Sequence, residues 1–295
     1  MTEQLSWYVV PIIVAFSVFI LAAILEFIAR KNASINKLID ILKRGSFLSP
    51  TFLSIITGVL LIMGGFNNYL FAPGMPLDDS ILGWILRVGQ LVIGLGLALG
   101  IFIRLVNIGL LACFIAGFFV FPYMEMLDYT IFAGIAVFLF LVHRDALSFS
   151  FFFHPVEKTE LLDHYRKYAL PILRFVAGAT LAYAALHHNI LDNSGAVAFV
   201  EAKSELNLIQ SIFGIESYTH FWFVIHTGIF SILLGLLLAF GLLERLVSII
   251  IGIGLLVSIF IGGFSFLQIV LPYFAVIYII ITGNQFEERE RFAKA

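Results

Sequence analysis

Long apolar runs constrain this chain more than any other feature. A helix rises about 1.5 Å per residue, so about 20 apolar residues cross the roughly 30 Å hydrocarbon layer of a bilayer. Runs of this kind recur at 8–28, 48–71, 81–103, 105–121, 127–142, 169–188, 220–242, 246–265 and 266–282. Each is continuously apolar, without the alternation of a barrel strand, which favours helices. The expected fold is therefore all-α: a polytopic membrane protein with about nine transmembrane helices. Composition agrees, since 61% of the 295 residues are hydrophobic and 12% are charged. A water-soluble domain carries about 25% charged residues and could not hide so much apolar surface. A net charge of −2 supplies no basic stripe for phosphates, which excludes a nucleic-acid partner. The single cysteine, Cys113, allows neither an intrachain disulfide nor a Cys-x-x-Cys pair.

Charge gives the spans a direction. Glu3 precedes the first run and its basic residues follow it, as expected of a retained anchor rather than a signal peptide. Those residues, Arg30, Lys31, Lys37, Lys43 and Arg44, are expected in the cytoplasm. Counting spans from there places Arg104, Arg144, Lys158, Arg166, Lys167, Arg245, Arg289, Arg291 and Lys294 on the same side. The opposite side receives Asp78, Asp79, Glu125, Asp128, Asp192, Glu201, Glu205 and Glu216, with Lys203 among them. The expected location is the cell inner (plasma) membrane, with the N-terminus outside and the C-terminus cytoplasmic.

Two stretches of the chain echo one another. Gly94, Gly100, Arg104 and Val106 match Gly235, Gly241, Arg245 and Val247 at one offset. Thr57-Gly58 followed by Asn67-Asn68 matches Ala177-Gly178 followed by His187-His188 at another. The implied organisation is a leading helix with a basic linker (1–46), a four-helix unit (47–143), a cytoplasmic connection (144–168), a second four-helix unit (169–283) and a charged tail (284–295). An even number of helices per unit makes the two units parallel rather than inverted repeats.

The run from Leu173-Arg174 and Gly178, through a polar pair at the outer helix end and a loop with Phe199 and Glu201, to Gly235, Gly241 and Arg245 resembles the DoxX family of four-helix membrane proteins. The resemblance is clearest over 169–283 and weaker over 47–143, which implies a tandem DoxX-like arrangement. Two departures stand out. His187-His188 replace the basic residue at the end of the first family helix, and Thr227-Gly228-Ile229-Phe230 hold no acid where the second family helix carries one. The resemblance implies an accessory or quinone-facing subunit of a membrane redox complex, with other membrane subunits as partners.

Histidines define the candidate site. His187, His188, His220 and His226 all fall at or just inside the outer face, with Tyr183, Asp192 and Glu216 nearby in sequence. Imidazoles with a carboxylate suit Zn or Cu, with His187, His188 and His220 as the ligands if a metal binds. They also suit a quinone, whose reduced form releases two protons on oxidation. A haem would need two facing imidazoles, for which His226 with His187 or His188 are the candidates. Interfacial histidines reaching headgroups and water are the fourth reading. Arg87, two turns into the third run, is expected to snorkel towards Asp78, Asp79 or Glu125, or else to hold an anionic ligand. No Walker loop, His-Glu-x-x-His helix or Gly-x-Ser-x-Gly elbow is present, and no catalytic residue is named. A scaffold role competes with the redox role. A small-molecule or metal permease is disfavoured because no span carries a central charged pair, and Pro171 and Pro272 are expected near span ends.

Overall fold

Ser80 shows how the sequence starts a helix here: its hydroxyl accepts from Gly83 N–H at 3.0 Å and donates to Asp78 Oδ1 at 2.6 Å. That cap opens a helix ending at Gly100, whose φ of +67° is the left-handed turn a residue without Cβ adopts cheaply. The computed structural model describes residues 49–142, 164–215, 217–262 and 264–282, and every regular element among them is helical. In chain order these are α1 (Ser49–Phe66), α2 (Ile81–Leu99), α3 (Ile103–Gly117), a short α4 (Tyr123–Leu127) and α5 (Thr130–Val142). There follow α6 (Ala169–Ala185), α7 (Ser194–Ala202), α8 (Leu208–Phe213), α9 (His220–Ala239), α10 (Glu244–Gly262) and α11 (Phe264–Thr282).

Eight of the expected spans thus meet a helix, and the ninth, at 8–28, lies outside the described residues. Among those described, Ser49–Phe66, Ile81–Leu99, Arg166–Leu191 and His220–Ala239 are long and apolar enough to cross a membrane, while Ile103–Gly117 and Thr130–Val142 are shorter. One expectation is corrected. Pro272 stands in the middle of α11 rather than near its end. Proline removes one N–H from the ladder, and in an apolar surround a neighbouring helix can absorb that loss without breaking the helix.

The helices pack by close backbone approach. In a bilayer, lipid tails are as apolar as leucine, so association rests on fit rather than on escape from water. A Cβ added to Gly58 would stand 2.6 Å from Gly94 O, and one added to Gly94 would stand 2.7 Å from Gly58 O. The same crossing recurs between α6 and α9, where a Cβ on Gly235 would stand 2.6 Å from Gly178 O and 2.7 Å from Ala182 N. The turns that follow also correspond. Ile101 N–H donates to Gly96 O and Leu242 N–H to Leu237 O, both at 2.9 Å. Gly100 and Gly241 share positive φ, as do Phe102 and Leu243 two residues on.

Further contacts join the two halves reciprocally. The 13-residue α5 packs on α6, and α11 packs on α1. At the first of these junctions Val176 fills the space over Gly134. Ile135, Phe138 and Leu139 on α5 and Val276, Ile279 and Ile280 on α11 hold matching buried positions in one continuous core.

Candidate functional site: a carboxylate shared by two histidines

The end of α6 winds as a π-helix over Leu186–Leu191, closed by Asp192 N–H donating to His187 O at 2.8 Å. A π-turn rotates less per residue than an α-turn, so adjacent side chains diverge less, and such turns recur at functional sites. Here the adjacent pair His187 and His188 lie with ring centroids 4.5 Å apart. Both reach one atom from the other half of the molecule. Asp128 Oδ2 lies 3.1 Å from His187 Nδ1 and 2.9 Å from His188 Nε2.

Asp128 follows the last residue of α4 and precedes α5, so the α5–α6 junction carries the carboxylate to the histidine pair. Its side chain is 11% exposed, against 19% for His187 and 58% for His188. The pocket therefore opens on the His188 side and closes on the aspartate. Asp128 Oδ1 is buried without a hydrogen-bond partner. Tyr183 closes one wall: its ring lies 5.8 Å from that of His187, and its hydroxyl donates to Met124 O at 3.0 Å.

The other expected residues go elsewhere. His226 Nδ1 meets the Tyr218 hydroxyl at 2.6 Å, its ring lies 5.8 Å from that of Trp222, and its Nε2 is buried without a partner. His220 Nδ1 lies 3.3 Å from Asn207 Nδ2, an amide that also donates to Tyr218 O at 3.0 Å. Burial pushes the Tyr218 phenol above its ordinary pKa. The four histidines thus form two separate groups at the same end of the bundle. His187 and His188 bind Asp128, whereas His220 and His226 bind the loop before α9. Asp192 accepts from Ser194 at 2.9 Å, and Glu216 lies outside the described residues.

Arg87 donates its Nε to Gly65 O at 3.0 Å and lays its guanidinium 5.5 Å over the Trp84 ring. Asp78, one of its three expected partners, instead holds the Ser80 cap. At the opposite end, Arg174 forms an ion pair with Glu244 beside Gly241. The residue sequence reasoning passed over is Asp128, named only among the outer acids. It stands 59 residues from His187, across the α5–α6 junction.

No family model, no curated protein and no solved structure matches this chain.

Proposed function

We propose that this chain is a multi-pass protein of the cell inner (plasma) membrane, built from a leading helix and two like-oriented four-helix units of DoxX-like type. It serves as an accessory or quinone-facing subunit of a membrane redox complex, and its working site is the His/acid pocket at the outer face. The observation that carries this reading is Asp128 held between His187 and His188 at the junction of the two halves. Ionisable groups in or near the membrane layer are costly, and they pair with one another or mark ligand and proton paths. The matching glycine crossings and the reciprocal α5–α6 and α11–α1 junctions support the tandem organisation. The charge segregation read from the sequence supports the N-out, C-in orientation.

Purification from its own membranes in mild detergent tests the reading. The expected result is extractable quinone together with co-purifying redox subunits. A chain that purifies alone and free of quinone argues against it. A scaffold role is the second reading, favoured by an apolar groove on α2 lined by Ile81, Trp84, Ile85 and Val88, with Asp79 at its edge. Partner subunits without any quinone would select it.

A further inference from the structure

We infer that Asp128, His187 and His188 bind a divalent first-row transition-metal ion of the Zn²⁺ class. The inference rests on the reading of this pocket as the working site and names its ligand. One ligand atom from each residue lies within 4.8 Å of the others. Tetrahedral Zn²⁺ holds nitrogen and oxygen about 2.0–2.1 Å away, so neighbouring ligand atoms stand about 3.3 Å apart. Two of the three edges of such a site already measure 3.1 and 2.9 Å. Two imidazoles with a carboxylate match the preference of Zn²⁺ and of its spectroscopic stand-in Co²⁺.

Two further observations point to a ligand rather than to packing. Asp128 crowds both imidazoles onto Oδ2 while Oδ1 stays buried and unpartnered, which is costly for a carboxylate unless a cation occupies the vicinity. The equivalent junction also does without these residues. Where α11 meets α1, the helix-end pair is Asn67-Asn68, and Asn67 simply bonds back to Met63 O at 2.8 Å. Docking a fourth helix against a first therefore requires no His/Asp trio. The open His188 edge supplies an entry path from the outer side.

The test uses the full chain, purified in detergent, stripped with a chelator and titrated with Co²⁺ (by visible absorption) and Zn²⁺ (by calorimetry). One ion per chain is expected, with a d–d band of nitrogen/oxygen ligation. Asp128→Asn and the pair His187→Asn with His188→Asn should each weaken binding about 100-fold or more. The single change His188→Asn, at the exposed edge, should weaken it about tenfold without loss of fold. His226→Asn, in the other histidine group, should leave binding unchanged. Absence of Co²⁺ binding by a monodisperse wild-type chain overturns the inference, as does binding that survives Asp128→Asn and the double histidine change. Quinone and partner content scored in the unstripped preparation keeps the two ideas apart. Quinone with partners but no metal site sinks this inference and leaves the redox reading standing.

Discussion

A single oxygen, Asp128 Oδ2, meets both imidazoles, so the carboxylate ties the α4–α5 bend to the end of α6. Hydrogen bonds to a charged group contribute about 1.5–3 kcal/mol each, less where one partner is exposed as His188 is. Asp128→Ala is therefore expected to destabilise the metal-free protein by about 1–3 kcal/mol, read as a lower thermal midpoint in detergent. An unchanged midpoint would show that the junction does not depend on it. Tyr218 gives a second residue-scale expectation. Burial raises its phenol above the ordinary 10.0, so the folded chain keeps a proton that the unfolded chain releases. Stability from this group is complete below that value and declines as pH rises through the folded one. Tyr218→Phe should flatten part of the fall in midpoint as pH rises past 10.0. A fall of the same steepness in the variant would assign it to other groups.

At the scale of helices, the two glycine crossings are matched experiments. A Cβ at Gly58 or Gly178 meets backbone atoms, which cannot rotate away as a side chain can. Overpacking costs typically about 1–3 kcal/mol when side chains can adjust, so Gly58→Val and Gly178→Val should each exceed that range. Loss of monodisperse protein in size-exclusion runs is the expected result, and tolerance of either change would mean that the helices slide apart at little cost. The turns behave differently. Gly100→Ala and Gly241→Ala place a Cβ at left-handed φ, a penalty of about 1–2 kcal/mol. At Gly241 the Cβ would also meet the Arg174 guanidinium, whose flexible side chain can shift only by disturbing its pair with Glu244, so the loss there should reach at least that range. Thermal midpoints of the two variants, compared side by side, decide this.

Across the whole molecule, orientation is the property that links fold to site. In a Cys113→Ser background, Asp192→Cys should react with a membrane-impermeant maleimide in intact cells. Lys167→Cys should react only after permeabilisation. The reverse pattern would put the histidine pocket in the cytoplasm and remove its access to outer-face ligands. The reciprocal packing of α5 on α6 and α11 on α1 gives the described residues two equivalent junctions, of which only one carries the His/Asp trio. That asymmetry separates the contacts that close the bundle from the proposed ligand set.

The helices and their turns were written locally, because a span needs only a run of apolar residues and its end only a glycine able to take positive φ. Gly58 and Gly178 were legible as small residues, and their matched spacing anticipated the matched crossings. The histidines were legible as unusual. Their grouping was not, since four residues near one membrane face carry no information about which side chains meet. Only the docking of α5 on α6 brought Asp128 to His187 and His188 across 59 and 60 residues, and only the loop before α9 drew His220 and His226 away. Apolar length is summed along the chain, whereas a shared carboxylate depends on where two distant helix ends come to rest.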